Sequence, residues 1–393
     1  MYFDVLMPKG FKCAGVSAGI KTGAAKDMAL VLSDVPAMAA GVFTTNQVCA
    51  APVKVCREHL KQGAARAIVM NSGVANACTG PEGIAASKEM AAMAAHHIGC
   101  SPREVFVCST GKIGPQLPLD KIRSGIGRLF EAAGPSNVQQ TAEAMMTTDT
   151  RPKVAAAEVE IEGRRIRIVG LAKGAGMIEP NMATMLAYIT TDAAVGQGAL
   201  QEMLRRAVDA SFNRISVDGD QSTNDTVLAL ANGEAGNAPL TAASPEWSNF
   251  RDAFNRVCFD LAMMIVHDGE GADKFVTVHV RGAETEADAD LAARAVANSM
   301  LNKTAWAGTY PDWGRIMDAI GYSKARVIEE RVDIHYDETQ AVAGGVRSGV
   351  SQEELIKVVS QTEFAIHIDL HLGAGNAAVY TCNCTEEYVR INY

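Results

Sequence analysis

The residues best suited to chemistry lie in one stretch, Lys173–Leu186, which reads Lys-Gly-Ala-Gly-Met-Ile-Glu-Pro-Asn-Met-Ala-Thr-Met-Leu. Thr184 follows Ala183 and precedes an apolar run that predicts a buried strand. A threonine hydroxyl is a weak nucleophile until a base removes its proton. If that hydroxyl cuts the Ala183–Thr184 bond, the freed α-amine, with a pKa of about 8, can act as the base. Spacing alone also allows an ordinary buried strand threonine at this position.

Three other positions could assist a threonine nucleophile. Ser109-Thr110-Gly111 follows an apolar strand, and a glycine turn there can aim backbone N–H groups at an oxyanion. Lys173 could bind a substrate carboxylate as a fixed cation, and Glu270, between two glycines, could bind a cationic amine. The simpler interpretations are a strand-to-helix turn, a solvated loop lysine and an exposed acid.

Other kinds of site are disfavoured by spacing. The glycines after Lys173 lack the Gly-x-x-x-x-Gly-Lys-Ser/Thr pattern of a phosphate-binding loop. Asp218, Asp220 and Asp225 could hold a divalent cation, but their spacing is not that of a calcium loop. The nine cysteines form no Cys-x-x-Cys pair, which favours free thiols in a reducing compartment over a metal site.

Length and charge limit the class of protein. The 393 residues suit one large α/β unit or two closely joined halves. A net charge of -9 argues against broad nucleic-acid binding, which needs a basic face. We expect no membrane span, because no apolar run reaches roughly 20 residues. The N-terminus lacks the pattern of a signal peptide, so we expect a cytoplasmic protein.

The elements that must position these residues follow from apolar periodicity. A mixed α/β fold of layered sheets and helices is predicted, without internal repeats or long linkers. Predicted strands are Cys13–Ile20, Met28–Leu32, Ala40–Thr45, Ala67–Met70, Glu104–Cys108, the hairpin Val154–Ile161 with Arg165–Val169, Met185–Ile189 and Thr226–Ala231. Predicted helices are Ile84–His97, Leu119–Ala132, Val138–Met145, Gly198–Ser211 and Trp247–Ile265.

Several motifs in one order resemble the ornithine acetyltransferase family, the glutamate N-acetyltransferases of the cyclic arginine pathway. The resemblance covers essentially the whole chain. Its motifs are Ser109–Gly114, Met146–Thr150, Lys173–Leu186, Ser211–Asp220, Ser222–Asp225, Asp268–Ala272, Trp313–Arg315 and Tyr388–Asn392. The family implies an N-terminal-nucleophile-like αββα fold of the ornithine acetyltransferase and aminopeptidase type. It also implies self-cleavage at Ala183–Thr184 into an α chain, residues 1–183, and a β chain, residues 184–393, packed closely as α2β2.

By the same resemblance, Thr184 is the nucleophile and Thr110 with Gly111 forms the oxyanion hole. The positions that match substrate contacts are Thr147, Lys173, Thr184, Glu270 and Asn392. The implied reaction moves an acetyl group from N-acetylornithine to glutamate through acetyl-Thr184, with no cofactor or metal. Acetyl-CoA remains open as a second donor. Alternatives are an amidohydrolase or aminopeptidase with the same nucleophile, a specialised acetyltransferase for another amine, and a non-enzymatic binding protein.

Overall fold

The computed structural model describes residues 5–179 and 185–393. The chain forms two compact units. The first contains the residues up to Asn213 together with Gln221–Ile265, and the second contains Arg214–Asp220 and Val266–Tyr393. The predicted division between Ala183 and Thr184 is a different boundary, which falls outside the described residues and stays a prediction. None of the helices in the described ranges has the length and apolar character that crossing a membrane requires.

The first unit is built on a sheet of eight described strands, in the order β4-β3-β2-β8-β7-β6-β5 with β1 beside β2. The β3–β4 and β7–β8 pairs are parallel, and the other pairs are antiparallel. The strands are β1 (Phe11–Val16), β2 (Met28–Phe43), β3 (Ala64–Val74), β4 (Val105–Lys112), β5 (Lys153–Ile161), β6 (Arg164–Lys173), β7 (Leu186–Thr191) and β8 (Thr226–Ala231).

Helices cover this sheet and complete its core. Every residue of β7 and β8 is buried, as expected of paired parallel strands in the middle of a sheet. The helix α2 buries an alanine-rich face that includes Met90, so its methionine belongs to the core. The helices are α1 (Ala51–His59), α2 (Gly80–Ile98), α3 (Leu119–Ala132), α4 (Val138–Met145), α5 (Gln197–Ala210) and α6 (Trp247–His267), the last lying largely in this unit.

The second unit has its own sheet, in the order β12-β11-β10-β13-β9-β14. Its strands are β9 (Phe275–Ala283), β10 (Asp333–Tyr336), β11 (Thr339–Ala343), β12 (Val346–Arg347), β13 (Glu363–Asp369) and β14 (Gly375–Cys382). Its helices are α7 (Glu286–Asn298), α8 (Met300–Ala307), α9 (Trp313–Tyr322), α10 (Gln352–Val359) and α11 (Glu386–Ile391). Buried residues alternate along β13, so one face of that strand packs on the core that includes α7.

The predicted layered α/β fold is confirmed, although the bounds of several elements differ from the prediction, as for β1, which is Phe11–Val16 rather than Cys13–Ile20. Three further differences are local. The two strands expected at Met28–Leu32 and Ala40–Thr45 are one strand, β2, with a register shift between Leu32 and Ala37 where the sequence suggested a turn. A bulge lets a long strand pass a proline without breaking. The helix α1 was not predicted. The turn expected at Ser109 begins later, because β4 continues to Lys112.

Candidate active site

Lys173 is the last residue of β6 and lies at the end of the sheet where β7 and β8 begin. It pairs with Leu186, the first residue of β7, and Leu186 pairs with Thr226 of β8. The Lys173 side chain is only 4% exposed, and its Nζ donates a hydrogen bond to the Thr147 hydroxyl at 2.8 Å. The structure therefore brings together two residues that were expected to contact substrate. Lys173 is not a solvated loop lysine.

Asp149 contacts both Thr147 and Lys173. Its Oδ2 accepts the Thr147 N–H at 2.9 Å, and its Oδ1 accepts the Gly174 N–H at 2.6 Å. Lys153 Nζ donates to Oδ1 at 2.7 Å, and Lys173 Nζ lies 3.9 Å from Oδ2. Each of these contacts fixes the backbone or the side chain of a neighbouring site residue. One carboxylate thus sets the geometry of both Thr147 and Lys173.

The electrostatics of this cluster suit an anionic ligand. Burial by itself would raise the pKa of Asp149, but Lys173, Lys153 and the Gly174 N–H outweigh it and hold that pKa well below its usual range. Asp149 is therefore ionised. Two buried lysines around one buried carboxylate leave one positive charge in excess among these three side chains.

Thr110 and Gly111 lie in the last part of β4, opposite Ser72 and Gly73 of the parallel strand β3. Thr110 is nearly buried. Gly111 has φ +125°, and a Cβ placed there would overlap the carbonyl group of Gly73, so only glycine fits. The close approach of two backbones, rather than an isolated turn, explains the glycine that the sequence motif contains.

Ala183 and Thr184 lie outside the described residues, and the next residue, Met185, is the nearest described point. The Met185 N–H donates to Asp225 Oδ1 at 2.5 Å, and the Met185 carbonyl accepts the Thr226 N–H at 3.1 Å. The chain is therefore fixed on the β8 side one residue after the predicted nucleophile. The role of Thr184 stays a prediction.

The aspartates that could have formed a cation loop have other contacts, since Asp225 Oδ1 accepts the Met185 N–H. Asp218 instead accepts a hydrogen bond from the Tyr388 hydroxyl at 3.2 Å. Among the described residues, no group of three or more His, Cys, Asp or Glu side chains could hold a metal ion.

Glu270 and Asn392 contact each other within the second unit. Asn392 Nδ2 donates to Glu270 Oε2 at 2.6 Å and to the Tyr388 carbonyl at 2.9 Å. Glu270 is 7% exposed, so it is not the exposed acid of the simpler interpretation. The pair joins two residues that were expected to contact substrate, at the C-terminal end of α11.

Sequence reasoning missed Asp149 and Lys153. Asp149 lies in the motif Met146–Thr150, which gives it no role of its own, and Lys153 lies outside the motifs. The signal that could have found them is a buried-strand lysine four residues after an aspartate, in a segment already expected to contact substrate. Local spacing in the sequence does not show that these two residues lie beside the end of β6.

Comparisons with known proteins place this chain in a family. A model of the ArgJ family matches residues 12–393. The chain is 49% identical over 385 residues to an arginine biosynthesis bifunctional protein ArgJ of Geobacter sulfurreducens, covering 98% of each chain. It is 44% identical over 401 residues to a mitochondrial protein of the same name from Schizosaccharomyces japonicus, covering 98% of this chain and 92% of the relative.

A solved structure agrees with these sequence matches. The crystal structure of arginine biosynthesis bifunctional protein ArgJ from Bacillus halodurans is similar with a TM-score of 0.51 and 41% identity, covering 52% of this chain and 97% of the solved one. The expected enzyme class, an acyltransferase of the ornithine acetyltransferase type, is confirmed with the family. This chain belongs to the ArgJ family of arginine biosynthesis.

Proposed function

We propose that this enzyme transfers the acetyl group of N-acetylornithine to glutamate through an acetyl-Thr184 intermediate. The observation that carries the proposal is the group of buried Lys173, buried Asp149 and half-buried Thr147 at the end of β6. It offers a cation and a hydroxyl to a substrate carboxylate, on the strand that pairs with β7 close to Thr184 in the chain. The names of the relatives, which refer to arginine biosynthesis, favour amino acids of that pathway as substrates.

The enzyme prepares its own nucleophile by self-cleavage. The Thr184 hydroxyl attacks the Ala183 carbonyl, its proton passes to the Thr184 nitrogen, and water then hydrolyses the resulting ester. The products are residues 1–183 with a new carboxylate and residues 184–393 with a free α-amine. Two observations support this step. β6 and β7 pair on either side of the cut, so the sheet can hold both pieces. The solved relative that matches is about half as long as this chain, as one subunit would be.

Turnover then follows two acyl transfers. The α-amine of Thr184 takes the hydroxyl proton while the oxygen attacks the acetyl carbonyl. The oxyanion is stabilised by donors of Thr110 and Gly111, each worth roughly 3–4 kcal/mol in comparable sites. The intermediate collapses, ornithine leaves with the proton, and acetyl-Thr184 remains. The amine of glutamate attacks this ester, and N-acetylglutamate and free Thr184 are formed.

Lys173 and Thr147 match the α-carboxylate of the substrate in charge and hydrogen bonding, and in this proposal they bind it. The family resemblance gives Glu270 and Asn392 a role in substrate binding as well. No cofactor or metal takes part, because the acyl group moves directly between oxygen and nitrogen nucleophiles. Acetyl-CoA is a second candidate donor for the same acetyl-Thr184. We place the enzyme in the cytoplasm as an α2β2 assembly of its own two chains, without nucleic-acid or membrane partners, in keeping with its net charge of -9.

The test follows an isotope-labelled acetyl group. Purified enzyme is incubated with labelled N-acetylornithine and glutamate, and the products are separated by mass spectrometry. We expect label on glutamate in the wild type and none with Thr184→Ala. Release of labelled acetate faster than transfer would favour the amidohydrolase alternative. Transfer to another amine in preference to glutamate would favour a specialised acetyltransferase.

A further inference from the structure

Asn224 and Asp225, directly before β8, contact two separate parts of the active site. Asn224 Nδ2 donates to the Ser109 carbonyl at 2.9 Å and to the Ala75 carbonyl at 2.7 Å. The Asn224 side chain is buried, and its Oδ1 accepts the Thr223 hydroxyl at 2.5 Å. Both amide hydrogens and the amide oxygen are therefore engaged, so the position of this side chain is fixed.

The bond to Ser109 bears directly on the oxyanion hole. The Ser109 carbonyl and the Thr110 N–H belong to one planar peptide unit and point in opposite directions. Asn224 therefore fixes both the direction of the Thr110 N–H and the position of the Thr110 Cα, which carries the side chain. Another side chain supports the same strand, since the Ser109 hydroxyl donates to Asn71 Oδ1 at 2.7 Å.

Asp225 makes the corresponding contact on the nucleophile's side. Its Oδ1 accepts the N–H of Met185, the residue bonded to Thr184, and its side chain is 1% exposed. Oδ2 is buried, and no hydrogen-bond partner exists for it among the described residues. Burial raises the pKa of Asp225 well above its usual range, against the opposing Met185 N–H and Lys173. These facts favour a neutral carboxyl that accepts one hydrogen bond.

We infer that Asn224 and Asp225 act together as positioning residues, which hold the Ser109–Thr110 peptide and the backbone N–H of Met185 in one fixed register. Consecutive residues can do this because the Asn224 side chain reaches β4 while the Asp225 side chain reaches the residue before β7. The inference rests on the proposed function, because the two residues affect turnover in this way only if Thr184 is the nucleophile and Thr110 and Gly111 are its oxyanion donors. Neither residue is expected to touch substrate, so the effect appears in kcat rather than in KM.

The size of the effect follows from the geometry of acyl transfer. A donor must lie about 2.7–3.1 Å from the position that the developing oxyanion occupies. A misplacement of about 1 Å in an active site lowers the rate roughly 100-fold. Loss of the Asn224 amide frees the peptide it holds, so we expect kcat to fall between about 10-fold and 100-fold while KM changes by less than about twofold.

The matched control for Asn224→Ala is Asn237→Ala. Asn237 is also buried and also donates from Nδ2 to two backbone carbonyls, those of Ala194 and Ala238, beyond the other end of β8. Both variants lose three side-chain hydrogen bonds, two donated by Nδ2 and one accepted by Oδ1, so their thermal midpoints should fall by similar amounts. Kinetics are normalised to the cleaved fraction measured by intact mass. A loss of kcat or of cleavage confined to Asn224→Ala supports the inference, and equal kinetics in the two variants overturn it.

Asp225 is tested by comparing Asp225→Ala with Asp225→Asn. The asparagine keeps an uncharged oxygen for the Met185 N–H, so it should recover most of the kcat that alanine loses. An asparagine variant as slow as the alanine variant would refute a positioning role for Asp225. Thr184→Ala, assayed in parallel, distinguishes failure of the proposed function from failure of the inference about Asn224 and Asp225. If it keeps wild-type activity, the proposed function fails. If it is inactive while the Asn224 and Asp225 variants are normal, only the present inference fails.

Discussion

Replacing Asp149 by asparagine should destabilise the first unit more than almost any other single change of charge. The substitution keeps the size of the side chain but removes a carboxylate that contacts both Lys153 and Lys173. The Asp149 and Lys153 side chains are 0% and 1% exposed, so water cannot replace the lost charge. Two lysines would be left buried side by side without this carboxylate.

Removing one partner of a buried ion pair costs about 3–5 kcal/mol. In a unit of this size each kcal/mol lowers the thermal midpoint by about 2–4 °C, so we expect a fall on the order of 10 °C. The depressed pKa of Asp149 fixes the pH range of the effect. Its contribution is complete above the usual carboxyl pKa of about 4 and is lost as the pH falls towards the lower folded value. The difference from wild type should therefore be constant from about pH 5 to pH 8.

The assay is thermal and urea unfolding of both proteins, with Glu158→Gln as the control. Glu158 pairs with Arg167 at 2.6 Å on the same β5–β6 hairpin, but the two side chains are 41% and 29% exposed. Solvent screens this pair, so the control should lose less than about 1 kcal/mol. Equal losses in Asp149→Asn and Glu158→Gln would refute the electrostatic reasoning. The KM of Asp149→Asn for N-acetylornithine should also rise, because Lys173 loses its support.

Further substitutions test individual parts of the site. Gly111→Ala should abolish turnover because its Cβ has no room, whereas Gly114→Ala, at φ +106° with open space around it, should keep most activity; initial rates compare them. Lys173→Ala should raise KM for N-acetylornithine at least about tenfold, since one charge-assisted bond is worth roughly 1.5–3 kcal/mol; an unchanged KM would remove Lys173 from the site. Asn392→Ala leaves Glu270 without its 2.6 Å bond, and a competition assay with ornithine should show weaker binding than in wild type.

Much of the fold could be predicted where one local pattern decides the structure. The helices α3 and α4 and the strand β8 have the predicted bounds, because their apolar periodicity is clear and their ends are marked. The long strand β2 was missed because a proline normally ends a strand, and the bulge that admits it depends on the register of β3. Local sequence does not contain that register.

In the site, too, local sequence does not predict the contacts between residues that are far apart in the chain. The Lys173–Thr147 contact joins residues 26 positions apart, and the expectation of both came from family motifs rather than from spacing. The Asn224 bond to Ser109 spans 115 positions, and the Asp225 bond to Met185 spans 40. Such contacts depend on which strands become neighbours, so an aspartate that supports an active site looks in sequence like one that could bind a cation. Burial and partner atoms separate the two roles.

The central claim is that Thr184 is freed by cleavage and then carries the acetyl group. The measurement that tests it most directly is the intact mass of the purified enzyme under denaturing conditions, before and after a short incubation with N-acetylornithine. We expect two chains, residues 1–183 and residues 184–393, and an added acetyl group on the second chain alone. A single uncut chain of 41.6 kDa that still transfers acetyl groups would contradict the account.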